Sequence, residues 1–152
     1  NHAEDDRDDR PLLGGDGPRM NDIAQQLVAA AVEVSRRAYA PYSNFHVGAA
    51  LLAENGEIIT GCNVENASYG LTICAERNAI FAAVARGISS FKAVAIVADG
   101  DAVAFPCGAC RQVLSEFLRA DTPVYVASVK HPETIHSLTM GGLLPHAFKF
   151  KE

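Results

Sequence analysis

Two short cysteine segments, far apart in the chain, place the strongest constraint on its fold. They are Cys74-Ala75-Glu76 and Pro106-Cys107-Gly108-Ala109-Cys110. Cys107, the first cysteine of the second segment, lies 31 residues after Glu76. A catalytic zinc ion takes three protein ligands in a tetrahedral arrangement and leaves the fourth position to water. The three cysteines of these segments would supply that ligand set. Because each segment begins a predicted helix, one metal ion would hold two helices side by side.

Hydrophobic periodicity predicts a helix and then a pair of strands in the first half of the chain. Apolar residues at helical spacing predict a helix over 22–39, with Asn21 or Asp22 as its cap. Two apolar runs follow over 46–54 and 57–64, and the Asn-Gly pair between them is a strong hairpin signal. We therefore expect the first two strands to be antiparallel neighbours.

In the second half, helices and strands are predicted to alternate. The predicted elements are a helix over 74–85, a strand over 93–98, a helix over 107–119, a strand over 123–128, a possible strand near 134–138 and a short turn or helix from Gly141. A hairpin followed by alternating helices and strands implies a mixed sheet that is covered by helices on both faces. The predicted fold class is α/β, a three-layer α/β/α arrangement around a mixed five-stranded sheet.

The first nineteen residues differ in composition from the rest. Residues 1–19 are rich in Asp, Gly, Pro and Arg without an apolar period, which predicts a disordered leader or an artificial extension before one domain over 20–152. This segment carries −3 of the net charge of −5, so the remainder is nearly neutral. Proteins that hold DNA or RNA normally show a basic face. We expect no nucleic-acid partner.

The distribution of apolar residues also argues against a membrane protein. No apolar run approaches the roughly 20 residues that are needed to cross a bilayer. The N-terminus lacks a basic stretch followed by an apolar one, and it is too acidic for a mitochondrial transit peptide. We therefore expect a cytoplasmic location and no membrane partner.

The cysteine pair at 107 and 110 has other interpretations when it is considered alone. An isolated Cys-x-x-Cys is often a redox pair or half of a structural zinc knuckle. A closed structural site would need Cys62 as its fourth ligand, but Cys62 lies in a predicted strand and fits better as a small core residue. Glu76, two residues from a thiol, could sit beside a metal-bound water without being a ligand, which favours an open catalytic site with one Zn²⁺ per chain.

The charge of such a cluster requires compensation. Three thiolates on Zn²⁺ leave a formal charge of −1, which weakens the metal as a Lewis acid. Arg77, next to Glu76, is the nearest candidate to offset that charge, and Arg111, next to Cys110, is a second.

Beyond these residues, the chain resembles the small homotetrameric zinc-dependent cytidine deaminases. The two cysteine segments match the zinc deaminase signature, in which the Glu acts as general acid and base. Further resemblance spans roughly residues 22–148 in the expected order: Tyr39-Ala40-Pro41-Tyr42-Ser43-Asn44-Phe45, Val47-Gly48-Ala49-Ala50, Gly61-Cys62-Asn63-Val64-Glu65-Asn66-Ala67-Ser68-Tyr69-Gly70, and Leu143-Leu144-Pro145 with Ala147-Phe148.

The resemblance implies roles for several further residues. Asn63 and Glu65 would bind the ribose 3′-hydroxyl, and an amide and a carboxylate two apart on an extended segment do point the same way. Phe45 would pack against the pyrimidine, and Phe148 would reach the active site of a neighbouring subunit in a homotetramer with shared sites. The Ala75 backbone and Tyr69 would line the nucleoside pocket.

The resemblance also implies a reaction. Glu76 would take a proton from the zinc-bound water, the hydroxide would attack C4 of free cytidine or deoxycytidine, and Glu76 would pass protons to N3 and to the departing amine. The products would be uridine or deoxyuridine and ammonia, as in pyrimidine salvage. A deaminase of another aminopyrimidine, such as an aminoacyl-nucleoside antibiotic or a base in RNA or DNA, is the nearest alternative. A zinc-stapled structural protein or a redox protein is the non-enzymatic alternative.

Overall fold

The helices and strands follow the order that the sequence predicts. A computed structural model of the chain describes residues 20–150. Its helices are α1 (Met20–Ser35), α2 (Ala75–Ala85), α3 (Gly108–Phe117) and α4 (Met140–Leu143), and its strands are β1 (Val47–Ala53), β2 (Ile58–Cys62), β3 (Phe91–Ala98), β4 (Pro123–Ser128) and β5 (His131–Thr139). The predicted leader over 1–19 lies outside the described residues. Between residues 20 and 150, no helix combines the length and apolarity needed to cross a membrane.

The five strands form one mixed sheet in the order β2-β1-β3-β4-β5. Strands β3 and β4 are parallel, and the other neighbouring pairs are antiparallel. On one face, Leu27 of α1 packs in a core cluster with Ala50 of β1, whereas on the other face Ile80 of α2 and Leu114 of α3 pack with Leu51. Adjacent strand residues point to opposite faces, so β1 contributes to both clusters. The predicted three-layer α/β/α fold is confirmed.

The predicted bounds of the first helix were wrong at both ends. Helix α1 begins at Met20, so Asn21 and Asp22 lie inside its first turn and are not its cap. It ends at Ser35 instead of continuing to 39, because the backbone of Tyr39 pairs with a neighbouring segment. Its N–H donates to the carbonyl oxygen of Asn63 at 3.0 Å, and its own carbonyl accepts from the N–H of Glu65 at 2.8 Å. The long-range pairing outweighs the local helical pattern.

Gly61 allows α2, the helix that starts at the first cysteine segment, to lie directly against the sheet. A Cβ atom built on Gly61 of β2 would lie 2.4 Å from the backbone nitrogen of Ala79 and 2.8 Å from the carbonyl oxygen of Ala75. Both of these are backbone atoms of α2, so no side-chain rotation could relieve the overlap. The absence of a side chain at residue 61 therefore sets how closely Glu76 and Cys74 approach the sheet.

Gly61→Ala should lower the free energy of unfolding by about 2–3 kcal/mol or more, since the added methyl group overpacks a rigid contact. It should also impair the site by displacing the start of α2. Gly70→Ala is the matched control, because a Cβ there meets nothing within 4 Å. Chemical denaturation of the two variants measures the difference, and equal stabilities would contradict the role of the close contact.

The strands that precede the two cysteine segments, β2 and β3, end at the same edge of the sheet. The C-terminal residue of β3, Ala98, pairs with the N-terminal residue of β1, Val47, and the next pair inward on the β1–β2 side joins Gly48 to Cys62. The loop from β3 into α3 leaves at this same edge. Crevices outside the carboxyl ends of strands are the usual ligand sites of α/β sheets, and the candidate site lies there.

Candidate metal centre and adjoining cavity

Three thiols converge where α2 and α3 begin. The Sγ atoms of Cys74, Cys107 and Cys110 all lie within 4.8 Å of one another. Cys74 is the N-cap of α2 and Cys107 is the N-cap of α3, so the start of a helix positions each of these two thiols. Tetrahedral zinc with Zn–S distances of about 2.3 Å requires sulfurs about 3.8 Å apart. The donor set therefore fits a zinc ion with one coordination position left open.

The fourth cysteine does not join this cluster. Cys62 lies half-buried in β2, outside the metal-binding group found among residues 20–150, and burial raises the pKa of its thiol. A closed site with four cysteines, which a purely structural zinc would require, is therefore not formed by this arrangement.

The environment of Cys74 favours its thiolate form. The hydrogen bond with Cys110, followed by the hydrogen bond from Arg77, lowers the pKa of Cys74 to about 5. Helix N-termini also favour thiolates, because their unpaired N–H groups and dipole attract negative charge. The thiol that begins α2 is thus prepared to act as a metal ligand near neutral pH.

The two candidate arginines have different surroundings. The Nη2 atom of Arg77 donates to the Sγ of Cys74 at 3.4 Å. Among the described residues, the Nε of Arg77 is the one buried polar side-chain atom that has no hydrogen-bond partner. Arg111 instead donates from Nε to the carbonyl oxygen of Pro106 at 2.7 Å and from Nη1 to that of Leu143 at 2.9 Å. Arg77 therefore faces the sulfur cluster, whereas Arg111 links the loop before Cys107 to α4.

Glu76 lies in the first turn of α2, beside the thiols. Its side chain is almost fully enclosed, with the residue 4% exposed. Burial raises the pKa of the Glu76 carboxyl, and the negative charge of Cys74 acts in the same direction. A carboxyl group with a raised pKa holds a proton more readily than a free carboxyl group does, which suits a group that accepts a proton and returns it.

A cavity of about 280 Å³ opens next to this cluster. It brings together six residues that the sequence singled out: Phe45, Asn63, Glu65, Cys74, Glu76 and Cys107. Its lining also includes Phe105 and Ile96, for which the sequence carried no signal, because a lone aromatic residue in a loop and an apolar residue in a buried strand are both commonplace. The lining has two polar groups, of which the first is Cys74, Cys107 and Glu76 and the second is Asn63 and Glu65.

Asn63 and Glu65 are held by the loop that carries Phe45. The Asn63 side chain accepts from the N–H of Val47 and donates to the carbonyl of Phe45, both at 2.9 Å. Glu65 accepts from the N–H of Tyr42 at 2.9 Å and from the hydroxyl of Ser43. The hydrogen bond from Ser43 is the main reason that the pKa of Glu65 is lowered. Both side chains are therefore preorganised, and Asn63 has a structural task besides any contact with a ligand.

A histidine that the sequence did not single out for the site secures the same loop from the other side. The Oδ2 atom of Asp99 lies 2.7 Å from Nδ1 of His46 and accepts from the N–H of His46 at 2.8 Å. Because His46 directly follows Phe45, this contact between the residue before β1 and the residue after β3 helps to hold Phe45 at the cavity.

Three of the six residues predicted to bind the substrate do not line the cavity. Tyr69 is 74% exposed, and its ring lies against Tyr42 with centroids 5.9 Å apart. Phe148 is 69% exposed, and its carbonyl accepts a hydrogen bond from Gln112. Ala75 is fully buried in the first turn of α2. A single chain therefore leaves Tyr69 and Phe148 with exposed rings outside the cavity.

An α/β fold with a three-thiol metal centre and an adjacent buried carboxyl group defines a zinc-dependent hydrolytic deaminase. Residues 21–127 match the family model described as the cytidine and deoxycytidylate deaminase zinc-binding region. The chain belongs to this family.

Similar proteins agree with that assignment. The cytidine deaminase of Sporosarcina psychrophila is 51% identical over 82% of this chain and 90% of its own length. That of Halalkalibacterium halodurans is 49% identical over 82% of this chain and 92% of its own. The crystal structure of the cytidine deaminase from Burkholderia pseudomallei superposes with a TM-score of 0.76 at 46% identity, covering 81% of this chain and 97% of that one.

Proposed function

We propose that this protein deaminates free cytidine and deoxycytidine by hydrolysis, releasing ammonia and leaving uridine or deoxyuridine. The observation that carries the proposal is the cavity itself. It joins a buried carboxyl group beside a three-thiol cluster to a preorganised carboxylate and amide, Glu65 and Asn63. A nucleoside has a reactive amine on its base and hydroxyl groups on its sugar, and it needs both kinds of partner.

Cys74, Cys107 and Cys110 would hold one Zn²⁺ per chain, with Arg77 offsetting part of the thiolate charge. The metal, when bound, supplies a Lewis acid that lowers the pKa of a water molecule. Glu76 accepts the proton that the attacking water loses and donates it to N3 of the base. It then takes the remaining proton from the new hydroxyl group at C4 and passes it to the amine, which leaves as ammonia. The raised pKa of Glu76 suits both steps.

Glu65 and Asn63 would bind the 3′-hydroxyl of the sugar, and Phe45 would pack on the base. A preference for the free nucleoside agrees with the chain's net charge of −5, since a polynucleotide substrate would call for a basic surface. Family membership and the exclusion of Cys62 from the cluster argue against a structural or redox protein.

The exposed ring of Phe148 is consistent with a homotetramer whose active sites are shared between subunits. Burial of such a ring is worth about 1.5–3 kcal/mol, and a neighbouring subunit would provide a place for it. Tyr69 would be covered in the same assembly and would then line the nucleoside pocket. A cytoplasmic role in pyrimidine salvage completes the proposal.

The test is ammonia release from cytidine, deoxycytidine, cytosine and a cytosine-containing oligonucleotide. We expect turnover of the two nucleosides, little of cytosine, and none of the oligonucleotide. Turnover of the oligonucleotide alone would refute the proposal, and light scattering on the same sample reports the mass of the assembly.

Glu65→Ala should lower kcat/KM for cytidine by about 10- to 100-fold, the cost of removing one hydrogen bond to a charged group. Residual activity on cytosine should change little, because the free base has no sugar hydroxyl. Glu54→Ala, at an exposed acidic residue on the β1–β2 turn, is the control for general charge effects. Equal losses on both substrates would assign Glu65 a structural role in holding the Tyr42–Ser43 loop.

A further inference from the structure

Phe105 is an aromatic residue for which neither the fold nor the proposed mechanism has a use. It is 48% exposed in the segment between β3 and α3, and its side chain lines the same cavity as Phe45. The exposed half of this phenyl ring is not buried by the fold of a single chain, and it gains from burial when a ligand in the cavity covers it.

The position of Phe105 in the chain places it near the metal centre. It precedes Cys107 by two residues, so its Cα lies within about 7 Å of the Cα of that thiol ligand. Glu76 enters the cavity from α2, whereas Phe105 enters from the segment that leads into α3. The two side chains therefore come from different elements that border the cavity near the thiols.

The orientation of a bound pyrimidine follows from the proposed function, on which this inference rests. C4 of the base must lie near the thiols, and N3 must face Glu76, which exchanges a proton with it. C5 lies on the other side of C4 from N3 in the planar ring. The C5 edge is therefore turned away from Glu76, and Ala104 and Phe105 belong to the part of the cavity lining that comes from a different segment of the chain.

We propose that Phe105 is a specificity-determining residue that limits the size of the substituent at C5 of the pyrimidine. The cavity volume of about 280 Å³ is slightly below the range of ligand sites, which is about 300–1,000 Å³. A large group at C5 then has to displace the phenyl ring. Hydrogen at C5, as in cytidine and deoxycytidine, leaves the ring undisturbed.

The experiment measures kcat/KM for cytidine, 5-methylcytidine and 5-iodocytidine in the zinc-loaded wild type and in Phe105→Ala and Phe105→Leu. The ratio for 5-iodocytidine over cytidine should rise by about tenfold or more in Phe105→Ala, the range in which an apolar pocket discriminates size. It should rise less in Phe105→Leu, and the 5-methyl ratio should change least. The ratio does not depend on the fraction of active enzyme, and electronic effects of iodine cancel between variant and wild type.

Phe81→Ala is the matched control, because Phe81 is also 48% exposed but lies on α2 outside the cavity lining. Its ratio should equal that of the wild type. An unchanged ratio in Phe105→Ala, or an equal loss on all three substrates, would overturn the role of Phe105 while the wild type remains an active cytidine deaminase. A wild type that releases no ammonia from cytidine would instead refute the proposed function, and this inference with it.

Discussion

Glu76→Gln should lower kcat for cytidine by at least about 10²–10⁴-fold, the usual contribution of a general acid and base. The amide has nearly the same shape as the carboxyl group but neither accepts nor donates the proton that the reaction moves. Zinc content should stay at one per chain, because Glu76 is not among the thiol ligands. The melting temperature should not fall, since a neutral amide is less costly to bury than the carboxylate at this 4% exposed position.

The control for this variant is Glu116→Gln, the same substitution at an exposed residue of α3. Its turnover should match the wild type. Steady-state kinetics, metal analysis and thermal melting on the three proteins separate catalysis from folding. Near-normal turnover in Glu76→Gln would end the assignment of Glu76 as the proton shuttle.

The second large effect is expected from Cys110→Ala, which should lose zinc and stability together. Cys110 is fully buried between the starts of α2 and α3. Even residues that only support metal ligands contribute about 10- to 100-fold to affinity, so loss of a ligand should weaken zinc binding by more than about 100-fold. The free energy of metal binding is also folding free energy, and the melting temperature should fall with the metal content.

Cys62→Ala is the matched control for this substitution. It removes the same thiol from a half-buried position in β2 that lies outside the metal-binding group. That variant should retain its zinc and most of its activity. Zinc measured in the purified proteins decides between them, and full zinc content in Cys110→Ala would contradict the three-thiol site.

The local parts of the fold and of the site could be predicted from the sequence. The Asn-Gly turn between β1 and β2 is confirmed, with Gly56 at a φ of +94°, a conformation that glycine adopts without strain. The strand over 123–128 was predicted with its observed bounds. Cys74 and Glu76 share one helical turn, and Cys107 and Cys110 share another, so their spacing within each segment already expressed the local geometry.

Other features depend on contacts between distant segments and could not be predicted. Helix α1 stops at Ser35 because Tyr39 pairs with the segment over 63–65, and no local pattern reports that competition. Phe105 and Ile96 border the cavity only because the sheet brings the end of β3 beside the loop with Phe45.

The sequence by itself determined the donor set, the candidate proton shuttle and the order of helices and strands, because each depends on residue types at short spacing. The tertiary structure alone decided that these residues meet at one cavity, and it added Phe105 and Ile96 to the lining. It placed His46 against Asp99, which are 53 residues apart in sequence. It also brought α2 into direct contact with the sheet at Gly61. The physical reason is that the packing of the sheet, and not periodicity along the chain, sets the distances between residues far apart in sequence.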